Sequence, residues 1–454
     1  MVSAALACSV GCGKDSNDPP RLTRSSNQPA VVMVGATETA AGAIAEVEPN
    51  NEVAGAQELP IGTQDVHGTL EGSDDVDRFR FVAPSTGLLF LTASGGGEAD
   101  LTVSLHDEAG KPLAKSDRGP AGTKEGLSGF GIDAGTTYQI VVTEFVGRKL
   151  RKAGGRKGPS GQYQLSWLMQ GDDDVAEAGF EREPNEDLEG ASEIFIGEER
   201  TGFVGWSGDL DLWRLPITGF GEITAGAQGA TAKEALHMVV ASPPGVALTF
   251  ALLGPSGDVI AERRGGKGEE VALRNFLPQV GVDMYAIRIG GKPSNPEETY
   301  MLRVDAAEIA PGTEEEPNDT QALATPLGGS DSTLHIARGE LVLGDVDYFQ
   351  LAPVAYERIL ELRLSGPGSA DLDISVVAES GAIIAEGLTT GAGLSETLSQ
   401  VPVGQSLSPL LKVHAKSLKG PAAYELSLSL IRGTATPPPP PAAPIEPNNP
   451  LQEE

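Results

Sequence analysis

The sequence predicts an all-β chain of three tandem antiparallel β-sandwich domains, and three observations carry this. Glu-Pro-Asn recurs at Glu48-Pro49-Asn50, Glu183-Pro184-Asn185, Glu316-Pro317-Asn318 and Glu446-Pro447-Asn448. The copies lie roughly 130 to 135 residues apart, the period of a whole domain and not of a solenoid unit. A chain of 454 residues leaves room for about three such domains. Apolar runs are short and turn-bounded, aromatics make up 5% of the chain, and it holds 58 Gly and 33 Pro. Many short strands and few long helices have such a composition, and without helical crossovers the sheets should be antiparallel.

Taken in order, residues 1–12 are apolar and rich in small side chains, then turn abruptly polar. They resemble the end of a bacterial lipoprotein signal peptide. Cys12, between Gly11 and Gly13, is the expected acylation site, with Cys8 second. No Lys or Arg precedes the apolar stretch, as an export signal would have. Both cysteines lie here, so the body has no disulfide and no Cys-based metal site or nucleophile. Residues 13–45, rich in Ser, Asn, Pro and Gly, read as a flexible tether.

The first unit spans 46–170, with strands expected at Phe79 to Val82, Leu88 to Thr92, Leu101 to His106, Tyr138 to Phe145 and Gln162 to Leu168. Tyr163, Leu165 and Trp167 alternate with polar residues, the mark of a half-buried strand. The second unit spans 175–308 and the third 310–432, on the same plan. Their hairpin turns are expected at Asp107 to Gly110, Gly254 to Gly257 and Glu379 to Gly381. Residues 433–454 hold Pro437 to Pro441 and the fourth Glu-Pro-Asn, Glu446-Pro447-Asn448, and are expected to form a disordered tail.

The formal net charge is −31, from 64 acidic and 33 basic residues. Such a surface repels nucleic acid and anionic membrane, whose phosphates need Lys and Arg. Any membrane contact is expected through a lipid anchor alone. The one basic cluster, Arg148 to Lys157, lacks interleaved aromatics and reads as a solvated loop or a grip on an anionic polymer.

The repeated acids are the candidate site. Each of the first three copies extends to a Glu-x-Glu-Pro-Asn motif: Glu46, Glu48 and Asn50; Glu181, Glu183 and Asn185; Glu314, Glu316 and Asn318. In extended backbone, alternate side chains share one side. Further on come Asp75 and Asp77, Asp209 and Asp211, Asp345 and Asp347. Phe79 and Phe81, Trp213 and Leu215, and Phe349 and Leu351 continue the phase of each pair, so both carboxylates belong to the inward row. Buried unpaired carboxylates are costly and repel each other. A cation would relieve both problems, and two Glu, one Asn and two Asp offer oxygens that suit Ca²⁺, with up to three ions expected. A set without Cys or His disfavours zinc and copper. The plainer alternative is that Asp-x-Asp caps a strand and Glu-Pro-Asn is a hinge.

His67, His106, His237, His335 and His414 are scattered, and no His-Glu-x-x-His or Gly-x-Ser-x-Gly is present. Acids that repeat in every unit suit a structural site better than a single active site, so no enzyme is expected.

The Glu-x-Glu-Pro-Asn motif, followed by Gly344-Asp345-Val346-Asp347-Tyr348-Phe349, Ala370-Asp371-Leu372 and Gly381, resembles the bacterial pre-peptidase C-terminal domain, a family similar to collagenase collagen-binding domains. Asp75-Val76-Asp77-Arg78-Phe79, Ala99-Asp100-Leu101 and Gly110 repeat the pattern in the first unit. The second keeps the motif and Gly208-Asp209-Leu210-Asp211 without the Ala-Asp-Leu start. The three units cover most of the chain. The resemblance implies jelly-roll-like sandwiches. It also implies modules that bind calcium, collagen-like protein or polysaccharide, often behind a secreted protease. The expectation is a non-catalytic lipoprotein of the bacterial cell envelope, at the outer membrane or cell surface, or else secreted, binding polysaccharide or extracellular protein. The alternatives are an accessory substrate-binding protein for a secreted protease or glycosidase, and a hydrolase with an unrecognised site. Oligomeric state stays open.

Overall fold

A computed structural model describes residues 43–60, 65–95, 97–147, 152, 155, 157–171, 179–218, 220, 233–327, 335–353, 358–387, 389–403 and 408–432. Cys12, the tether up to residue 42, most of the basic segment and the tail with Glu446 lie outside the described residues.

The first unit is built from β1 (Ile44–Ala45), β2 (Gln57–Glu58), β3 (Asp65–Gly72), β4 (Val76–Val82), β5 (Gly87–Gly95), β6 (Leu101–Asp107), β7 (Pro112–Ser116), β8 (Glu125–Ile132), β9 (Thr137–Glu144) and β10 (Lys157–Gly171). One sheet runs β1-β3-β10-β5-β8 and the other β2-β4-β9-β6-β7. Without the short β1 and β2, the eight strands alternate between two sheets, save for the β6–β7 hairpin within one of them, in the Greek-key order of a jelly roll.

The second unit repeats this with β11 (Ser192–Glu193), β12 (Glu198–Val204), β13 (Leu210–Pro216), β14 (Lys233–Ala241), β15 (Ala247–Leu253), β16 (Val259–Lys267), β17 (Val271–Phe276), β18 (Met284–Lys292) and β19 (Asn295–Ile309). Its sheets are β12-β19-β14-β17 and β11-β13-β18-β15-β16. The third has β20 (Thr325–Leu327), β21 (His335–Leu341), β22 (Val346–Leu351), β23 (Arg358–Ser365), β24 (Ala370–Val377), β25 (Ile383–Gly387), β26 (Glu396–Pro402), β27 (Leu410–Leu418) and β28 (Ala422–Arg432), in sheets β21-β28-β23-β26 and β20-β22-β27-β24-β25.

Ladders between the long strands are antiparallel, while β1, β2, β11 and β20 add short parallel pairings. Each unit closes over its own apolar core, around Phe79, Trp213 and Phe349 respectively. Gly110, Gly257 and Gly381 sit at φ near +82° to +85° in the β6–β7, β15–β16 and β24–β25 hairpins, the left-handed turn position that favours glycine. Sequence alternation missed β8 and β17 because both their faces are buried: every residue of β17 and all but one of β8 are covered.

The units join by one repeated device. The Glu-Pro-Asn motifs of the second and third units each lie against the edge strand of the unit before, with Phe130 bridging Glu183 and Phe276 bridging Glu316 in parallel. The Glu183 N–H donates to Gly129 O at 2.9 Å, and the Gly131 N–H donates to Glu183 O at 2.7 Å. Likewise the Glu316 N–H donates to Asn275 O at 3.0 Å, and the Leu277 N–H donates to Glu316 O at 3.3 Å. Gly129 and Asn275 hold positive φ in a bulge just before the bridging residue, and Gln400 does the same in β26. There Val401 pairs with Leu360 as Phe130 pairs with Leu89 and Phe276 with Leu236. The next residue is Pro402, which has no N–H to give.

The two junctions differ in chemistry. The first centres on aromatics, beside the exposed Lys124–Glu297 and Arg182–Asp133 pairs: Phe90, Phe180 and Phe203 form a ring cluster with centroids 5.8 to 6.2 Å apart, and Trp206 packs on the first core. The second is ionic. In the place of Phe203 stands Glu340, which accepts from Arg274 Nε at 2.8 Å, and Lys233 pairs with Glu315.

Candidate metal centres

The fifteen residues of the Glu-x-Glu-Pro-Asn motifs and Asp pairs converge, unit by unit, at the end of the sandwich where β4, β13 and β22 begin. In each unit the motif runs between two strand ends, which brings its oxygens to the Asp pair. All three Glu–Pro bonds, Glu48-Pro49, Glu183-Pro184 and Glu316-Pro317, are cis, where the sequence suggested a plain extended run.

The second unit is the most enclosed. Glu181, Glu183, Asn185, Asp209 and Asp211 are all buried. The Phe203 N–H donates to Glu181 Oε1, and Asn185 Nδ2 donates to Glu181 Oε2 at 3.3 Å. The Asn185 N–H donates to Glu183 Oε2 at 2.9 Å, and the Gly205 N–H donates to Asp209 Oδ2. Oxygens of Glu181, Glu183 and Asp211 lie within 4.8 Å of one another. So do those of Glu183, Glu186 and Asp209.

The other units follow the same wiring. Thr69 N–H donates to Glu46 Oε2 at 2.7 Å, as Glu340 N–H does to Glu314 Oε1 at 3.0 Å. Asn50 and Asn318 each donate their backbone N–H to the preceding Glu48 and Glu316. The first Asp of each pair caps its turn: Val76 N–H to Asp75, and Val346 N–H to Asp345, both at 3.0 Å. This is the strand-capping role weighed from sequence, and it accounts for the first Asp only in part. Glu46, Glu48 and Asp77 form the candidate trio of the first unit, where Glu48 is exposed. Glu316, Asp345 and Asp347 form that of the third.

Two residue types in these sites were not anticipated. Tyr163 donates its hydroxyl to Asp77 Oδ2, and Tyr424 to Asp347 Oδ2, both at 2.6 Å. Tyr300 donates to Glu181 Oε2 at 2.9 Å and accepts from Trp213 Nε1. Each Tyr pairs across the sheet with a glycine, Gly68, Gly202 or Gly339. A Cβ on Gly339 would sit 2.0 Å from Glu314 Oε2 and 2.4 Å from the Tyr424 hydroxyl. The recurrence of a tyrosine in the last strand of every unit is the one sequence signal that points to them; the glycine opposite shows only in the ladder. Glu186, one place past Asn185, was also passed over.

What remains unsatisfied is the same in every unit. Oδ1 of Asn50, Asn185 and Asn318, and Oδ1 of Asp77, Asp211 and Asp347, are buried without a hydrogen-bond partner. Glu183 Oε1 and Asp209 Oδ1 join them in the second unit and Glu314 Oε2 in the third. Such atoms ordinarily find partners. The electrostatics agree. Burial pushes Asp77 up to about 9, helped by Glu46. Burial, then the Asp209 charge, takes Glu181 to about 8, and burial, then Glu181, takes Glu183 to about 10. Asp209 rises to about 7, chiefly by burial. Asp211, Glu314, Asp345 and Asp347 all lie well above the ordinary carboxylate range through burial, then neighbouring acids. An all-oxygen donor set with converging unpaired lone pairs fits a hard divalent cation, Ca²⁺ foremost.

No protein-family model matches the chain, and no curated protein matches it. Among solved structures it is similar to the pre-peptidase C-terminal domain of collagenase from Bacillus anthracis, at 21% identity over 25% of this chain and 94% of that one, with a TM-score of 0.20. It is similar to the PBSX exported protein XepA at 9% identity, over 52% of this chain and 83% of that one, TM-score 0.15. It is also similar to the BSP domain of a biofilm associated protein at 9% identity, over 83% of this chain and 67% of that one, TM-score 0.14.

Proposed function

We propose that the chain is a non-catalytic array of calcium-stabilised β-sandwiches, held on the bacterial cell envelope through Cys12, that binds surface polysaccharide or extracellular protein. The observation that supports the calcium assignment is the pair of buried, partnerless Oδ1 atoms, one Asn and one Asp, that recurs in all three units. Calcium at each would be held by the Glu, Asn and Asp oxygens already named. Ca²⁺ prefers six to eight oxygens, so backbone carbonyls and water would complete the shell. The non-catalytic reading draws support from the repetition itself, since the same acids and the same tyrosine serve every unit. With several modules in one chain, a repetitive partner such as a polysaccharide or fibrous protein would be bound by more than one of them, which raises avidity without new contacts.

Melting the full chain in calcium and in EDTA tests this. A ligand at 100 times its dissociation constant stabilises the native state by about 2.7 kcal/mol, so the melting temperature should rise clearly with calcium. Asp347→Ala should lose part of that rise. An unchanged melting temperature in the wild type overturns the calcium assignment. A glycan and matrix-protein array with and without calcium addresses the partner, and mass spectrometry of the native N-terminus should find an acylated Cys12.

A further inference from the structure

The outer half of the acid cluster is built from the second Glu of the Glu-x-Glu-Pro-Asn motif, the residue just past its Asn, and the first Asp of the pair. It has three different solutions in the three units. In the first, the residue past Asn50 is Asn51, whose amide donates to Asp75 Oδ1 at 3.0 Å once its nitrogen is turned that way. In the second, it is Glu186, and with Glu183 and Asp209 it forms an all-acid trio. There Glu183 Oε1 and Asp209 Oδ1 are buried and partnerless. In the third, the same three positions are Glu316, Asp319 and Asp345, and a guanidinium sits among them. Arg263 of the second unit places Nη2 2.8 Å from Glu316 Oε1 and 3.1 Å from Asp345 Oδ1, and Nη1 3.2 Å from Asp319 Oδ2. The two oxygens left bare in the second unit, Glu183 Oε1 and Asp209 Oδ1, are the counterparts of the two that Arg263 Nη2 contacts.

Arg263 is itself local to this junction. It stands on β16 opposite Phe250, where the first unit has Ser116 opposite Val103 and the third has Gly387 opposite Ile374. Its side chain is 4% exposed, so it is committed to the cluster and is not a surface charge passing nearby. A guanidinium is always protonated and presents its N–H groups in a planar fork suited to several carboxylates at once.

We propose that Arg263 is a built-in cation that stands in for a metal ion at the outer half of the third unit's acid cluster. The guanidinium and a divalent cation are interchangeable there, and the junction between the second and third units closes without metal. The inner half of that cluster, where Asn318 Oδ1, Asp347 Oδ1 and Glu314 Oε2 are buried without hydrogen-bond partners, stays open to an ion. The inference rests on the cation-binding reading above for what the open clusters take. The contacts of Arg263 stand independently of it.

The test is calcium stoichiometry of the full chain by equilibrium dialysis, for wild type, Arg263→Gln and Arg263→Lys. Arg263→Gln should bind one calcium more per chain than wild type, and its melting temperature should fall in EDTA and recover with calcium. Arg263→Lys, whose ammonium keeps the charge, should hold the wild-type number. Equal stoichiometry in Arg263→Gln and wild type overturns the proposal, as does a gained ion in Arg263→Lys. If Arg263→Gln is unfolded in EDTA, folding on addition of calcium supports interchange, and failure to fold in calcium overturns it. A wild type that binds no calcium refutes the general metal reading, while the comparison between the variants still decides the role of Arg263.

Discussion

Tyr424 donates its hydroxyl to Asp347 Oδ2 at 2.6 Å, while Oδ1 of the same buried carboxylate has no partner. The tyrosine satisfies one oxygen and fixes the plane of the carboxylate beside Glu314. Tyr163 does the same for Asp77. Tyr424→Phe should therefore act twice. In EDTA it should cost about 1–3 kcal/mol, because a buried acceptor loses its donor. In calcium it should weaken affinity by about 10–100-fold, as loss of a residue that orients a metal ligand does. Denaturant melts and a calcium titration check both, and a variant unchanged in the two would mean the tyrosine only fills space.

The raised carboxylates imply an unusual pH dependence for the metal-free protein. Asp209 and Glu181 titrate at about 7 and about 8 in the folded state, against ordinary values of 3.8 and 4.5. Because the folded values are the higher, the stability tied to these groups is fully present below the ordinary values. It is lost as pH rises through the folded ones. In EDTA the melting temperature should fall between about pH 4 and pH 8. Bound calcium holds the same groups ionised, so in excess calcium the fall should disappear. A melting temperature in EDTA that rises over this window would contradict the burial of these acids.

Gly339→Ala should destabilise the third unit selectively. Its new methyl would collide with Glu314 and Tyr424; Tyr424 cannot retreat without breaking its contact with Asp347, nor Glu314 without disturbing the bond it accepts from the Glu340 N–H. Overpacking of this kind costs about 1–3 kcal/mol or more. Gly147→Ala, with nothing within 4 Å of its Cβ, is the control and should stay within about 0.5 kcal/mol of wild type. Calorimetry of the two variants separates a site effect from a general one.

Particular residues show what could be read in advance. Asp77, Phe79 and Phe81 declare a common face by spacing alone, and all three are buried. The antiparallel sandwich follows from many such strands and three hairpin turns, while the jelly-roll order of the strands is only what the family resemblance implies. Tyr163, Tyr300 and Tyr424 look like ordinary core aromatics in amphipathic strands; only the ladder shows each opposite a glycine that makes room for it. Glu125 to Ile132 and Val271 to Phe276 lack a period of two because they have no solvent face. Arg263 was illegible for a different reason: its partners are Glu316, Asp319 and Asp345 of the next unit, and no local pattern encodes a contact across a junction.

Pro402 gives the array a direction. The first unit has, at Glu46 to Asn50, the same tongue that the second and third units lay against a neighbour, and among the described residues no edge strand pairs with it. If the edge of β26 could both accept and donate, it would offer such a tongue a groove, and head-to-tail contacts of that kind do not close but run on into fibres. Val401 keeps the shape of the groove, yet Pro402 removes the hydrogen that Gly131 and Leu277 supply at the two real junctions. Edge strands are commonly defended in this way. Pro402→Leu should therefore raise light scattering in concentrated solution, and a variant that stays as dispersed as wild type would show that the proline is not what stops polymerisation.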